Sequence, residues 1–402
     1  MQKLTLTPDR KKELDLGFEN AFGCLPQRYF SAPGRTELSG NHTDHQQGKV
    51  LAGAVNLDMQ AAVRPNGTDT IRIFSKGYDM STVSLSLLEP VEQEVNSTPA
   101  LIRGVAARFV QLGCKVEGFD AYMESTVLPG SGLSSSAAYE VLVGTIINGL
   151  FFDGKVSDPE IAIIGQYAEN VFFGKPCGLM DQMASSVGGM VAIDFAVKEA
   201  PVITPVNFDF AACGHTLCII DTRASHADLT DEYAAITQEL KTVCGYFGKQ
   251  VLRQVPEQEF CAAIPALREK CGDRAVMRAF HFYQESARVD AQVAALQRGD
   301  FTTYLQLMKQ SGYSSYMYLQ NVIPAGYTQK QDVAVTLALC EKLLQGRGGY
   351  RVHGGGFAGT VQAFVPFDLL ESFCTGIDGV LGAGACHVLS IRPQGGAEML
   401  AE

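Results

Sequence analysis

A short stretch rich in glycine and serine, residues 128–140, places the strongest constraint on how this chain folds. It reads Leu-Pro-Gly-Ser-Gly-Leu-Ser-Ser-Ser-Ala-Ala-Tyr-Glu and is followed by apolar residues at helical spacing. This spacing predicts a largely buried helix that begins near Ser134 to Ser136. The first N–H groups of a helix lack partners and the helix dipole is positive there, so the loop suits an anion such as phosphate. A glycine turn with a serine cap is the alternative.

The sequence before this stretch favours the anion-binding interpretation. Residues 119–127 read as a strand that leads into the glycines, so the local order is strand, loop and helix. An anion-binding loop requires this context.

Composition limits the class of protein and its partners. The chain has 402 residues, 46% of them hydrophobic, and a formal net charge of −11. This charge argues against a nucleic-acid partner, which needs a basic surface. Neither an apolar run of about 18 residues nor a signal-peptide order is present, so we expect no membrane contact and a cytoplasmic location. Eleven cysteines without a CxxC pair indicate reduced, mostly structural thiols.

The length predicts more than one domain. Proline and charge interrupt the pattern around residues 195–213, and we divide the chain into residues 1–200 and 201–402. We expect a monomer or a weak homo-oligomer.

A second stretch, residues 31–45, is dense in polar groups and has almost no apolar residue to bury. Its candidate ligand-binding residues are Arg35, Glu37, Asn41, His42, Asp44 and His45. Carboxylate, amide and imidazole groups can each hold a hydroxyl group in a fixed direction. The segment therefore predicts a site for a small polyhydroxyl ligand rather than a plain loop. His42 and His45 as metal ligands are disfavoured, because no third soft ligand is near.

Two isolated carboxylates, Glu169 and Asp181, stand in apolar text after the phosphate-type loop. A cap or a solvent-facing charge is the ordinary role of each. After such a loop, the pair suggests one ligand for Mg²⁺ and one residue that handles an attacking hydroxyl group. A glycine run at residues 354–359 implies close backbone approach, either to another loop or to a ligand.

Three motifs occur in order, and together they resemble those of the GHMP small-molecule kinases. They are Ala32-Pro-Gly-Arg…Gly-Asn-His-Thr-Asp44, Pro129-Gly-Ser-Gly-Leu-Ser-Ser-Ser-Ala-Ala138 and Gly354-Gly-Gly-Phe-Ala-Gly359. The first motif, with Phe18-x-x-Ala-Phe-Gly before it, is similar to that of the galactokinase branch. The resemblance implies an α+β fold, with an N-terminal domain like the second domain of ribosomal protein S5 and a C-terminal ferredoxin-like domain. ATP and sugar would meet between the two.

The resemblance also implies roles for particular residues. Asp181 matches the catalytic aspartate and Arg35 the arginine beside it, while Ser136 and Glu169 match the Mg²⁺ ligands. The implied sugar-binding residues are Glu37, Asn41, His42, Asp44, Gly178 and Tyr233, the last supported by His226 seven residues before it. The implied ATP phosphate-binding residues are Gly130, Ser131, Gly132, Leu133, Ser134, Ser135 and Ser136. No lysine closes this loop. A nearby arginine lowers the pKa of an aspartate, so we expect Asp181 chiefly to orient the hydroxyl group.

The implied reaction is phosphorylation of galactose on its anomeric C1 hydroxyl by ATP, giving α-D-galactose 1-phosphate. Galactokinases usually read Arg-Val-Asn-Leu-Ile-Gly-Glu-His-Thr-Asp-Tyr, whereas this chain has Glu37, Asn41 and His45 in place of the asparagine, glutamate and tyrosine. The family glutamate is expected to face the C6 side of the sugar. Asn41 would keep an acceptor there and would no longer repel a C6 carboxylate, so galacturonate and N-acetylgalactosamine stay open.

Two further alternatives are disfavoured. A galactose-sensing regulator without activity is expected to have a damaged Ser-Ser-Ala-Ala stretch, which is intact here at residues 135–138. A kinase of mevalonate or homoserine is disfavoured by His42, Asp44 and Tyr233, which suit a sugar.

Overall fold

The computed structural model describes residues 1–127, 132–175, 177–197, 200–224 and 229–401. Gly130 and Ser131, which are predicted to bind phosphate, and His226 lie outside these described residues. Among the helices that are described, none is long and apolar enough to cross a membrane.

The strands and helices alternate along the described chain. The strands are β1 (Gln2–Leu6), β2 (Arg28–Ser39), β3 (Lys49–Pro65), β4 (Thr70–Ser75), β5 (Ser81–Ser84), β6 (Phe119–Ser125), β7 (Met190–Asp194), β8 (Val202–Val206), β9 (His215–Asp221), β10 (Gly349–His353), β11 (Thr360–Pro366), β12 (Cys386–Leu389) and β13 (Ala397–Ala401). The α-helices are α1 (Pro8–Phe22), α2 (Thr98–Gln111), α3 (Ser135–Phe151), α4 (Asp158–Tyr167), α5 (Met180–Val187), α6 (Thr230–Tyr246), α7 (Glu257–Cys271), α8 (Asp273–Gln297), α9 (Phe301–Ser314), α10 (Asp332–Leu344) and α11 (Leu370–Leu381). Two π-helical turns, Ala168–Phe173 and Ser315–Leu319, continue α4 and α9.

The larger sheet contains nine strands among the described residues. Seven follow the order β1-β13-β2-β3-β6-β4-β5, and β7 pairs with both β3 and β8. Strand β3 pairs with β2 along one edge and is long enough to have two partners on the other, where residues 49–53 pair with β7 and residues 59–65 pair with β6. One face of the sheet packs against α2, α3 and α4, and apolar side chains such as Phe30, Phe109 and Leu142 are fully buried between them.

The smaller sheet has the order β10-β11-β9-β12, and all of its pairings are antiparallel. One face packs against α10 and α11. A second core joins this sheet to the larger one through α8 and α9, for example where Leu51, Tyr304 and Phe364 belong to one buried cluster. The architecture is the predicted α+β class, with two sheets and helices on their faces.

Several elements agree with the sequence-based predictions. Helix α3 begins at Ser135, as the apolar spacing predicts, and is buried along most of its length. Helix α4 begins with a capping box, in which Ser157 and Glu160 satisfy each other's backbone groups. The π-helical turn continues this helix to Phe173, and Gly174 closes the turn in a left-handed conformation.

The order of the strands in space was not predicted. Strands β8 and β13 follow residue 200, yet both belong to the larger sheet, β8 beside β7 and β13 between β1 and β2. The end of the chain therefore completes the sheet that the first residues begin. The boundary at residue 200 stays a prediction.

Candidate active site

Strand β2 presents two of the predicted site residues where its pairing with β3 is irregular. The register shifts between Pro33 and Arg35 and again between Glu37 and Ser39. Bulges of this kind bend a strand and redirect side chains, often beside functional sites. Arg35 and Glu37 lie at these irregular positions.

Asp181 is held from two sides in the first turn of α5. Arg35 Nε donates a hydrogen bond to Oδ1 at 2.7 Å, and Ser134 Oγ donates to Oδ2 at 2.6 Å. Burial alone would raise the pKa of Asp181, but the charge of Arg35 and the two hydrogen bonds lower it below its ordinary value. The carboxylate is therefore ionised at neutral pH and is a weak base, as expected of a group that orients a hydroxyl.

Arg35 also fixes the end of the phosphate-type loop. Its backbone N–H donates to the Leu133 carbonyl at 3.0 Å, and its guanidinium Nη1 donates to the Gly132 carbonyl. The Leu133 side chain is buried in the core between the two sheets. One arginine thus joins the loop, the start of α3 and Asp181.

The predicted phosphate-binding serines differ in what their side chains do. Ser134 has a left-handed backbone with a φ of 56°, and its hydroxyl is committed to Asp181. Ser135 and Ser136 are half-buried and form the first turn of α3. The unpartnered amides of that turn are suited to phosphate oxygens.

Gly132 lies against the C-terminal half of the chain. It has a φ of +68°, and a Cβ atom there would lie 2.9 Å from Thr360 Oγ1 and 3.1 Å from His353 Nδ1. These two side chains are hydrogen-bonded to each other at 2.9 Å. The smaller sheet, through His353 and Thr360, is therefore packed against the phosphate-type loop at Gly132.

The predicted metal ligands lie on neighbouring elements. Glu169 is buried in the π-helical turn after α4, a type of irregularity that often marks functional sites. Helix α3, which begins with Ser135 and Ser136, packs against α4 and α5. Lys175 Nζ lies 3.6 Å from Glu169 Oε1.

A second buried acid, Glu140, accompanies Glu169. Gln182 Nε2 donates at 2.9 Å to an oxygen of each carboxylate. The remaining Glu140 oxygen, Oε1, and the Gln182 oxygen are buried and have no hydrogen-bond partner among the described residues. Burial and the charge of Glu169 raise the pKa of Glu140. The site is thus rich in oxygen atoms and in negative charge.

Asp44 and Gly178, two of the predicted sugar-binding residues, are in contact. Any side chain at Gly178 would collide with the Asp44 carboxylate. The Asp44 Oδ1 atom accepts the His45 N–H at 2.8 Å. Burial, reinforced by the charges of Asp181 and Glu37, raises the pKa of Asp44 to about 6.

The glycine run lies against another part of the chain, which is one of its two predicted roles. Three successive carbonyls, those of residues 354–356, accept hydrogen bonds from predicted sugar-binding side chains. The donors are Asn41 Nδ2 to Gly354 at 2.6 Å, His42 Nε2 to Gly355 at 2.9 Å and the Tyr233 hydroxyl to Gly356 at 2.8 Å. Burial raises the pKa of Tyr233 to about 12, so its hydroxyl keeps its proton.

Asn41 and Glu37 are more deeply placed than the sequence suggests. Both are buried, and Asn41 Nδ2 donates to Glu37 Oε1 at 3.0 Å. Arg351 on β10 donates to the same Glu37 oxygen. The expectation that Asn41 presents a free acceptor toward the sugar therefore does not match the contacts of its side chain.

Sequence reasoning did not find several residues that support the site. Arg351 and His353 are polar residues two apart in strand β10, directly before the glycine run, and this same-face spacing was a readable signal. Asn321, which donates to the Asn41 oxygen at 2.8 Å, follows a π-helical turn and had no such signal.

Comparisons with known proteins match the regions that contain the phosphate-type loop and the polar stretch at residues 31–45. Residues 100–189 match the GHMP kinases N terminal domain, and residues 17–65 match the galactokinase galactose-binding signature. A galactokinase of Actinobacillus pleuropneumoniae is 31% identical over 356 residues, which cover 88% of this chain and 89% of the relative. A galactokinase of Streptomyces coelicolor is 30% identical and the match covers 95% of this chain and 97% of the relative.

Solved structures show the same fold. The crystal structure of Lactococcus lactis galactokinase complexed with galactose has a TM-score of 0.80 at 24% identity, covering 96% of this chain and 99% of that one. The mevalonate kinase of Methanococcus jannaschii has a TM-score of 0.64 at 12% identity, covering 91% and 98%.

Proposed function

Since the chain belongs to the galactokinase family and has the GHMP kinase fold that its motifs predict, we propose that it transfers the γ-phosphoryl group of ATP to the C1 hydroxyl of galactose. The observation that carries this proposal is the position of Asp181, which Arg35 and Ser134 hold at the end of the phosphate-type loop. An acceptor hydroxyl bound at Asp181 would lie beside phosphates bound at the start of α3.

The reaction forms a bond between the sugar C1 oxygen and the γ-phosphorus and breaks the bond between that phosphorus and the β-γ bridging oxygen, releasing ADP. Such a transfer needs positioning and charge stabilisation more than strong base catalysis. Asp181 accepts a hydrogen bond from the C1 hydroxyl and orients it, and the same carboxylate takes up the proton late in the transfer, when bonding to phosphorus has made that proton acidic. Arg35 stabilises charge beside it.

The residues that would hold ATP and Mg²⁺ fit those ligands. Residues 128–140 contain no lysine or arginine, so the backbone amides from Gly132 to Ser136 would bind the anionic oxygens of ATP. The oxygen-rich, acidic surroundings of Glu169 suit a hard cation. No three His, Cys, Asp or Glu side chains within the described ranges are grouped to hold a metal ion. The metal would therefore be bound by the Ser136 hydroxyl, Glu169 and the phosphates. When bound, Mg²⁺ neutralises charge on the β- and γ-phosphates.

On the sugar side, Asp44 and His42 bind hydroxyl groups of the sugar. Gly178 has no side chain, and this leaves room for the Asp44 carboxylate. Tyr233 closes the site through its hydrogen bond to the glycine run. In this proposal Glu37 and Asn41 also belong to the sugar site.

The experiment that tests this function is an ADP-release assay with MgATP and three sugars: galactose, galacturonate and N-acetylgalactosamine. We expect galactose to be the best substrate. Asp181→Asn should lower turnover by about 100-fold or more while the KM for galactose changes little, because the orienting carboxylate is lost. Asp79→Asn, at an exposed aspartate, is the matched control.

Three results would contradict the proposal. Turnover confined to galacturonate would assign another substrate, and galactose binding without ADP release would indicate a sugar-sensing protein. Substantial activity of Asp181→Asn would remove the role given to that residue.

A further inference from the structure

We propose that Glu37 supplies the carboxylate that binds a sugar hydroxyl in this chain, and that Asn41 is a positioning residue that holds Glu37 without contacting the sugar. The inference rests on the proposed function and specifies how its sugar site is built.

The first observation is that the Asn41 carboxamide has no hydrogen-bonding capacity left. Its two N–H hydrogens go to Glu37 Oε1 at 3.0 Å and to the Gly354 carbonyl at 2.6 Å. Its oxygen accepts from Asn321 Nδ2 at 2.8 Å and from Ser315 Oγ at 3.3 Å. A side-chain amide has two donors and two acceptor lone pairs, so all four are used. A sugar hydroxyl could bind Asn41 only by breaking one of these bonds, in a residue with no exposed surface.

The second observation is that only one of the two Glu37 carboxylate oxygens accepts hydrogen bonds from described residues. Its Oε1 accepts from both Asn41 and Arg351. Its Oε2 makes no hydrogen bond to any described residue, and it is not among the buried unpartnered atoms of the described chain. The accessible oxygen of this carboxylate is therefore Oε2.

The third observation places Glu37 among the other sugar residues. Asn41 Nδ2 joins Glu37 Oε1 to the Gly354 carbonyl, and the next carbonyl, that of Gly355, accepts from His42 Nε2 at 2.9 Å. Glu37 therefore belongs to the same small group as the residues expected to bind the sugar.

Arg351 explains how a carboxylate is kept at this buried position. The arginine is fully buried, and its Nη2 donates to Glu37 while its Nε donates to the Val352 carbonyl at 3.0 Å. A buried carboxylate needs such a partner, because desolvation otherwise favours its neutral form. The pair gives one Glu37 oxygen, Oε1, a charged partner and leaves the other, Oε2, without a hydrogen bond from any described residue.

The consequence concerns the choice of substrate. An ionised carboxylate only accepts hydrogen bonds, so its open oxygen requires a hydroxyl donor. A sugar carboxylate at the same place offers no hydrogen and would face a second acceptor. Asn41 in place of the family glutamate therefore does not open the site to uronic acids, because Glu37 keeps the acceptor at a neighbouring position.

The test is a thermodynamic cycle in which one side chain of the protein and one hydroxyl group of the sugar are removed singly and together. We would measure kcat/KM for galactose and for its 2-, 3-, 4- and 6-deoxy forms with the wild type, Glu37→Gln and Asn41→Ala. Glu37→Gln should lower kcat/KM for galactose by about 10- to 100-fold, mainly through KM, as loss of a charged hydrogen bond predicts. For the one deoxy sugar that lacks the bound hydroxyl, the same variant should differ from the wild type by less than about threefold.

Asn41→Ala should act through the same contact as Glu37→Gln. It should raise the KM for galactose, and the deoxy sugar that abolishes the effect of Glu37→Gln should abolish the effect of Asn41→Ala too, because Asn41 acts only by holding Glu37. A different deoxy sugar that abolishes the effect of Asn41→Ala would instead assign a separate sugar contact to Asn41 and overturn the inference. So would a Glu37→Gln variant whose effect is equal for all five sugars, which indicates a structural role alone.

Two controls keep the result interpretable. The KM for MgATP and the melting temperature show whether each variant is folded. If Glu37→Gln does not fold, the cycle is repeated with Glu37→Asp, which keeps the charge beside Arg351 but withdraws the oxygen from the sugar. A wild type that releases no ADP with galactose would refute the proposed function. Normal wild-type activity with an unchanged Glu37→Gln variant would refute only this inference.

Discussion

At the scale of single residues, the site separates two aspartates by their surroundings. Asp181 is paired with Arg35 and hydrogen-bonded by Ser134, which lowers its pKa. Asp44 accepts a backbone N–H instead of a guanidinium, and nearby negative charges together with burial raise its pKa to about 6. Asp181 is therefore ionised at neutral pH, whereas Asp44 changes its charge near pH 6.

This difference predicts a pH dependence for sugar use. An Asp44 that accepts a sugar hydroxyl must be ionised, so kcat/KM for galactose should rise with pH and level off above pH 6, falling about tenfold for each unit below that value. The pKa of His42 is lowered, mainly by burial, so this imidazole is neutral over the plateau. The measurement is kcat/KM between pH 5 and 8 with MgATP saturating at each pH.

The same group predicts a stability effect of known sign. Because the folded-state pKa of Asp44 is raised, the folded state holds its proton more tightly than the unfolded chain, and stability is lost as pH rises from about 4 to about 6. Asp44→Asn cannot ionise, so it should weaken galactose use yet melt no lower than the wild type at pH 7.5. A wild-type kcat/KM for galactose that does not change between pH 5 and 8 would contradict both expectations.

At the scale of elements, the phosphate-type loop depends on its contact with strand β11. Gly132 has a left-handed backbone and lies against Thr360 and His353. A side chain there would be strained by its φ and would also press on the smaller sheet. The glycine therefore serves both the conformation of the loop and its contact with β11.

Gly132→Ala should consequently lower kcat by about 10- to 100-fold, because a displaced loop misplaces the phosphates. Gly113→Ala is a matched control, since Gly113 also has a positive φ but a Cβ atom at that position would have no described atom within 4 Å. Both variants should lose about 1 kcal/mol of stability from backbone strain. Only Gly132→Ala should lose activity, as measured by ADP release on folded protein, and equal activity of the two variants would contradict the role of this contact.

The elements themselves were largely predictable from local pattern. The start of α3 and the strand before the loop both follow from the pattern of apolar residues. The bulges in β2 and the π-helical turn at Glu169 could not be predicted in this way, because they depend on how neighbouring elements pack.

The candidate site was predictable as a set of residues but less so as a set of contacts. Arg35 and Asp44 belong to the first motif, and Asp181 is an isolated carboxylate in apolar text. The structure pairs Arg35 with Asp181 and places Asp44 against Gly178, three residues before Asp181. The saturation of Asn41 by Gly354 and Asn321 could not be predicted, since these partners are more than 270 positions away in the chain. Long-range hydrogen bonds of this kind leave no periodic signal in the sequence.

At the scale of the whole molecule, the order of the larger sheet joins the two ends of the chain. Strand β13 pairs in parallel with β1 and antiparallel with β2, the strand that carries Arg35 and Glu37. Its Met399 side chain is buried with Leu14 and Phe18 of α1 and with Tyr29 of β2. The sheet that supports the active site is therefore completed only by the last strand of the described chain.

This closure predicts that β13 contributes to the stability of the whole sheet. Met399→Asp buries a charge without a partner in an apolar cluster and should lower the free energy of unfolding by about 3 kcal/mol or more. Leu400→Asp, one residue further and 45% exposed, changes the same strand on its other face and should cost less than about 1 kcal/mol. Urea unfolding followed by circular dichroism measures both. A similar loss for the two variants would show that strand propensity, and not the buried contact between the chain ends, determines the effect.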